Sequence, residues 1–478
     1  MPCTALNPNL TAREQAHHLY EAIPPGLFRV QDENERIAWR VSPEPFALSA
    51  SEVEAIQRLG PQLLRFYRAL NNLYNRSARG TAPAFIAEYL DHGKPEQVVK
   101  LARQNRFKQE LPGVIRPDLI LTADGFVATE LDSIPGGMGF VGAMTEAYCQ
   151  LGIESLGGDD GIPLAFAAMM RNVTHKERPT VAIVVSEESR DYRNEMGWLA
   201  ASLRRLDVAD AWLRRPEEIA FTEEGLFIRH DDGRESRLDA LYRNFELFDL
   251  FNVPKQELML YAARHNRVKI TPPPKAPLEE KLAFALFHHH ALASLWRAEL
   301  GDETFQHLRT LFPKTWVIDP RPLPPQASIT GLDAGGPISD FRQLVALPKS
   351  ERAYVVKPSG FSELAWGSRG VKIGDDLTRD EWTAVIEGAI ASYDRTPWIL
   401  QRFHKGKLVR QSYFDREQDA IREYDGRVRL CPYYFVTGED SVQLGGVLAT
   451  IAPADKRLIH GMNDAVMTSS VAPRNAGA

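Results

Sequence analysis

The sequence predicts a mixed α/β (α+β) protein of several subdomains, and three observations carry that expectation. From Thr11 to about Arg106 apolar residues recur at helical spacing. Residues 118–131 read as the two arms of a hairpin around Asp124-Gly125. Between Pro179 and Thr271, apolar strand-like runs enclose a helical pattern, as in a small unit with parallel pairing. At 478 residues, with roughly 150 residues per domain, about three domains are expected.

The elements follow in order. Ser49-Ala50-Ser51-Glu52 can cap a short helix through Ile56 and Leu59. Gly60-Pro61 should stop or kink it, with Leu63, Leu64, Phe66, Tyr67 and Leu70 continuing on a second helix. Pro112-Gly113 ends the helical stretch, and the strands 118–122 and 126–131 follow. A helix is expected over about 141–151. Beyond the boundary at Glu177-Arg178-Pro179, TVAIVV (180–185) is a buried strand, and Tyr192, Met196, Leu199 and Leu203 mark a helix. Residues 238–243 and 268–271 are further strands, closed by Pro272-Pro273-Pro274. A long helix is expected over 278–300 and a Pro- and Gly-rich loop over 319–336. Strands at 353–357, 371–373, 398–403 and 428–436 surround a helix at 382–392. The last residues, SSVAPRNAGA, read as a solvated tail.

Composition narrows the function. Lys and Arg number 57 against 63 Asp and Glu, a net charge of −6, so no basic excess exists to neutralise a nucleic-acid backbone. Apolar residues make up 44% and charged residues 25%, the balance of a globular chain. Cys3, Cys149 and Cys431 are far apart with no CxxC pair, so neither a disulfide framework nor a zinc site is expected. The opening MPCTALNPNLTAREQAHH lacks a basic start followed by an apolar run, so no secretory leader is expected. No stretch approaches the roughly 20 apolar residues that span a bilayer, and the expected location is cytoplasmic.

Four motifs carry chemistry. In IRPDLILTADGFVATELD, Arg116 and Asp118 sit two apart, and Glu130 and Asp132 repeat that spacing. Residues i and i+2 of a strand share a face, so paired arms would gather three carboxylates and one guanidinium. Such a face either holds a hard cation such as Mg²⁺ or is the solvated side of a hairpin. GSRG at 367–370 follows the strand ending in Lys357; it is either a phosphate-cradling loop aided by Lys357 or Arg369 or an ordinary hairpin loop. Gly137-Met138-Gly139-Phe140-Val141-Gly142 is a literal GxGxxG. It lacks the preceding apolar strand, so it reads as a decoy for dinucleotide binding. His288-His289-His290 cannot share one metal from a regular helix. No Walker A, GxSxG or HExxH signature is present.

In this order the segments resemble the circularly permuted ATP-grasp ligases, the group around glutathionylspermidine synthetase. Arg116-x-Asp118 with Glu130-x-Asp132 is similar to the family's R-x-D and E-x-N pair, and Pro135 to the proline that follows. Glu279-Glu280-Lys281-Leu282-Ala283 looks like the N-K-A segment. Tyr354-Val355-Val356-Lys357-Pro358 with Gly367-Ser368-Arg369-Gly370-Val371 resembles the second lysine strand and glycine-rich flap. Trp398-Ile399-Leu400-Gln401 is like the hinge strand beside the adenine. The metal-bearing half precedes the lysine half, as in permuted members. Three departures stand out. Asp132 replaces the usual Asn, Glu280 and Leu282 replace the expected neighbours of Lys281, and the late catalytic Arg is either Arg429 or Arg457, near the Gly446-Val447-Leu448 strand. No segment resembles the amidase domain that some relatives carry.

The resemblance implies a helical N-terminal region at 1–110 and a metal-binding half at 111–177. A pre-ATP-grasp-like domain at 178–275 is inserted before a lysine-bearing lobe at 276–405, and the rest of the core follows at 406–478. It implies ATP and Mg²⁺, with the metal on Asp118, Glu130 and Asp132. Lys281, Lys357, Gly367, Ser368, Gly370 and Gln401 would hold nucleotide, and Arg116, Lys357 and Arg369 would act on the transferring phosphoryl group. The implied activity is amide formation between a small carboxylate and an amine through an acylphosphate, with no nucleic-acid or membrane partner. A small-molecule kinase and a nucleotide-binding scaffold of the same fold are the rivals, and a nicotinamide enzyme is a distant third.

Overall fold

The computed structural model describes residues 10–28, 40–324, 326–365, 369–459 and 464–473. Four sheets organise them. The largest has seven strands, running across it from Phe46–Ala47 through Val466–Val471, Val442–Pro453, Ala420–Val436 and Val114–Thr122 to Gly125–Asp132. Leu408–Asp415 pairs with the first part of the Ala420–Val436 strand. The chain thus leaves this sheet after Asp132 and returns to it at Leu408. Alternation along Ala420–Val436 sends Leu430 and Tyr434 into one core with the Ala50–Ala78 helix. Cys431, Tyr433 and Phe435 enter the opposite core, with the helices Met138–Gln150 and Gly161–Thr174, as a period of two requires.

The second sheet is parallel throughout, in the order Lys269–Thr271, Ala240–Asn244, Thr180–Val185, Asp210–Arg214, which matches the expected α/β unit. A three-stranded meander, Ile219–Thr222, Gly225–Arg229 and Glu235–Arg237, is an addition that the sequence pattern did not announce. The fourth sheet is antiparallel, ordered Thr315–Val317, Trp398–Arg402, Tyr354–Pro358, Lys372–Ile373. The Arg379–Ala391 helix supplies Trp382, Ile386 and Ile390 to the core around it.

Several local expectations are corrected. Gly60-Pro61 does not end a helix: one helix of 29 residues runs over Ala50–Ala78, started by a Ser49/Glu52 capping box. Tyr434 packs on the helix at this point, and its hydroxyl donates to the Ile56 carbonyl at 2.5 Å. A Cβ on Gly60 would lie 2.7 Å from the buried Tyr434 ring. Gly60→Ala is therefore expected to cost about 1–3 kcal/mol despite alanine's better helix propensity, read as a lowered urea midpoint. The 278–300 helix is interrupted, appearing as Ala283–His288 and Ala293–Leu300 with His289 extended between them (φ −67, ψ 123). Its expected first turn instead serves side chains of the site described below.

Residues 469–471 of the expected tail belong to the buried Val466–Val471 strand, and 474–478 lie outside the described residues. Cys149 is disulfide-bonded and Cys431 is a buried free thiol, so a bridge is present at Cys149 although the sequence suggests no disulfide framework. Spacing along the chain does not limit pairings that folding brings about. No described helix is long and apolar enough to cross a membrane.

Candidate active site

The Val114–Thr122 and Gly125–Asp132 strands pair antiparallel, with Arg116 opposite Asp132 and Asp118 opposite Glu130. The turn needs Gly125, whose φ is +114. The ladder to the Ala420–Val436 strand holds at Arg429–Ile120 and Leu430–Leu119 and resumes at Tyr434–Ile115. Pro117 and Pro432 lie in the interval, and proline cannot donate to a ladder. Into that interval the sheet brings Asp118 and Cys431.

A ring of charge results. Arg116 reaches Asp118 at 3.1 Å and Asp132 at 2.9 Å, and Arg429 holds the other oxygen of Asp118 at 2.9 Å. The Cys431 thiol donates to Asp118 at 3.4 Å; burial pushes that thiol up to about 12, so it stays a donor. Burial pushes Asp118 up, yet Arg429 and Arg116 hold it below the usual carboxylate range. Burial, with Glu130 adding, leaves Asp132 raised despite Arg116. Lys281 pairs with Glu130 at 2.8 Å.

Lys357 differs from every other cation here. A register shift in the hairpin leaves Thr129 without a ladder partner, and its carbonyl accepts from Lys357 Nζ at 2.8 Å. The residue is 5% exposed, and burial pushes its ammonium down to about 8, partly offset by Glu130. Its positive charge has no carboxylate within ion-pair distance among the described residues.

Two cavities meet at this ring. One, of about 920 Å³, lies against Arg116, Asp132, Tyr192, Glu195, Glu246 and Glu279. The other, of about 490 Å³, lies between the seven-stranded and the antiparallel sheet, against Ile120, Ile373, Gln401, Phe403 and Arg457. Asp118, Glu130, Lys357, Val371 and Arg429 line both. Gln401 is buried, its amide donating to Thr315 Oγ at 3.2 Å. Arg369 is half exposed, 3.3 Å from Glu188, and does not line either cavity. A Cβ on Gly370 would lie 2.8 Å from the Leu364 carbonyl, so the loop closes only on glycine. Gly367 and Ser368 lie outside the described residues.

The open choice between two late arginines acquires geometry: Arg429 is in the ring, whereas Arg457 pairs with Asp375 and Asp376, each at 2.7 Å. Sequence reasoning missed Cys431, although its i+2 spacing from Arg429 was a usable signal. It also missed Glu195 and Glu246, for which no local signal exists, and quoted Glu279 only as a neighbour of Lys281, with no role in the site. Burial and the neighbouring Glu279 push Glu246 up. Among the described residues no three acid, His or Cys groups are arranged as a metal cage. Mg²⁺ beside phosphates commonly needs only one or two carboxylates, and Asp118 and Glu130, opposite each other and on both cavities, fit that lesser demand.

The glycine-rich 137–142 segment starts the Met138–Gln150 helix, with Gly137 at φ +88. Glu195 occupies the position a phosphate would take, accepting from the Phe140 amide at 3.4 Å. A Cβ at Gly139 or Gly142 would come within 2.3 Å of Glu195 or Trp198, so these glycines serve close helix packing. Burial pushes Glu195 up to about 7 against those backbone donors. A raised carboxyl supports the fold fully below its unfolded pKa of about 4.5 and less as pH rises through 7. Glu195→Gln is therefore expected to gain about 1–3 kcal/mol at pH 8 relative to pH 5, measured by denaturant unfolding at both values. His288 is half-buried, held well below the usual imidazole range, at about 4, chiefly by desolvation, and sits 2.9 Å from the Phe312 carbonyl, a structural role.

The fold so described is an α+β architecture shared with a synthetase-like solved structure. That structure is a glutathione synthetase-like effector from Globodera pallida in its apo form, at 13% identity and TM-score 0.58, covering 99% of this chain and 100% of that one. A putative γ-glutamylcysteine synthetase from Methylobacillus flagellatus is also matched, at 13% identity, TM-score 0.37 and 84% and 86% coverage, too low to carry an argument. No family model matches, and no curated protein gives a significant match.

Proposed function

We propose that the chain is an ATP-dependent carboxylate–amine ligase of the circularly permuted ATP-grasp type, acting through an acylphosphate. The observation that carries this reading is Lys357: a buried ammonium, bonded to one carbonyl, in the wall between two cavities. Burying an unpaired charge is costly, and an anionic phosphoryl group at that wall offsets the cost. The overall likeness to a glutathione synthetase-like protein supports the same reading.

Nucleotide would occupy the smaller cavity, its base toward Gln401 and Phe403, and the carboxylate and amine would share the larger one. Asp118 and Glu130, with Asp132 beside them, would hold Mg²⁺, which would supply charge neutralisation at the phosphates. Lys281 and Lys357 neutralise charge on the transferring phosphoryl group, and Arg116 and Arg429 orient Asp118. A substrate carboxylate oxygen takes the γ-phosphoryl, ADP leaves, and the amine then attacks the acyl carbon and expels phosphate. Positioning and charge suffice, so no nucleophilic side chain is required.

A second reading, nucleotide binding without ligation, is favoured by the ring itself, because Asp118, Glu130 and Asp132 each already face a cation. Phosphate release in the presence of MgATP decides between them. A ligase releases phosphate only with both acid and amine, or slowly with acid alone, and Lys357→Ala and Glu130→Ala abolish it. Stabilisation by MgATP with no turnover across acid and amine pairs would leave the second reading. No response to nucleotide would reject both.

A further inference from the structure

We propose that Lys94 is a positioning residue for the two site lysines, acting through a latch with Glu280 and Ser359. Lys94 lies on the turn between the helices Phe85–Asp91 and Glu96–Ala102. Its Nζ meets Glu280 Oε1 at 2.5 Å, and both side chains are 1% exposed. Glu280 directly precedes Lys281, and Ser359 follows Lys357 by two residues. The other Glu280 oxygen accepts from the Ser359 hydroxyl, and Oε1 also accepts from the Phe361 amide at 3.4 Å. Ser359 Oγ in turn accepts from the Leu282 amide at 2.9 Å, while the Ser359 carbonyl accepts from the Lys281 amide at 3.0 Å. A Cβ on Gly360 would fall 2.7 Å from the Glu279 carbonyl and 2.8 Å from the Glu280 carboxyl carbon, so the two segments pass with no spare room.

The residue that departs from the family pattern beside Lys281 thus has a use. Glu280 ties the Lys281 segment to the end of the Lys357 strand, and Lys94 supplies the counter-charge from the helical N-terminal region. The same turn is held on its far side, where the His92 ring lies 3.0 Å from the Tyr393 carbonyl. A Cβ on Gly93 would meet the Arg395 carbonyl at 2.4 Å. Lys94 lines neither cavity, so its influence passes through the latch. Site geometry must hold to within about 0.5 Å for such cations to act together, and a dry carboxylate that takes hydrogen bonds from Ser359 and the Phe361 amide and faces the Lys94 charge ties the two segments in one place.

The inference rests on the nucleotide reading above, and the test separates the two. Removing one partner of a buried pair strands the other charge, whereas replacing both is often neutral for stability. The double variant Lys94→Met with Glu280→Gln is compared with the full-length parent by calorimetric titration with MgADP and by limited trypsin digestion after Arg369. Expected are a melting temperature close to the parent's, MgADP binding at least 10-fold weaker, and faster cleavage after Arg369, with Lys94→Arg alone restoring parental affinity. Parental affinity and parental cleavage in a folded double variant would overturn the latch. If the double variant does not fold, Ser359→Ala takes its place. It should weaken MgADP about 3-fold or more, and unchanged binding would again overturn the proposal. Should the parent itself bind no MgADP, the nucleotide reading fails, and cleavage after Arg369 alone then decides the latch.

Discussion

Lys357→Met is expected to weaken MgATP binding about 100-fold or more at pH 7.5 while leaving the fold at least as stable as the parent. The first effect follows from losing a desolvated cation aimed at phosphate, where one such group contributes several kcal/mol. The second follows because the methionine fills the same space without a buried charge to desolvate. The parent should also show a pH signature. Its ammonium titrates near pH 8, and only the protonated form attracts phosphate, so affinity should fall about tenfold per pH unit above that value. Binding in this range should take up protons from buffer. In Lys357→Met the slope disappears. Titration calorimetry in two buffers of different ionisation enthalpy measures both quantities. Equal slopes in parent and variant would mean that Lys357 does not face the phosphates.

Arg429→Lys is expected to lower turnover about 1000-fold, and Arg457→Lys less than about tenfold. A lysine in place of Arg429 cannot keep the same planar contact with Asp118, leaving a buried carboxylate with poorer company beside Arg116. Arg457 pairs with Asp375 and Asp376 at the rim of the smaller cavity, where its side chain is more exposed, so exposed-pair energies apply. The comparison is made on kcat at saturating nucleotide. The reverse order of effects would exchange the roles of the two arginines.

Much of the site was legible wherever the signal was local. The Asp124-Gly125 turn sets the hairpin register as far as Leu119 against Ala128, and the shift at Thr129, which no local signal announces, then places Arg116 against Asp132 and Asp118 against Glu130. The strand before Lys357 announced itself by its β-branched run. What could not be read depends on distant pairing. Arg429 and Arg457 are equivalent in one dimension, and only the ladder between strands whose contacting residues lie 311 apart separates them. The same holds for Glu280, which reads as part of a helical run yet is claimed by Lys94 and Ser359. Pro61 is a helix breaker by propensity, yet the helix continues through it where Tyr434 packs.

The division of the largest sheet between two distant stretches of chain has a consequence for biosynthesis. As the polypeptide leaves the ribosome, the hairpin appears with Arg116 facing Asp118 and Asp132, and the second arginine that balances Asp118 is 311 residues away. At about 5–20 residues per second that interval lasts some tens of seconds. Throughout it the hairpin has a free edge where the Ala420–Val436 strand will pair, the kind of surface that recruits improper partners. The nascent chain therefore cannot assemble its charged ring until the Ala420–Val436 strand has been made, and chains arrested before Leu408 expose that edge to chaperones and proteases.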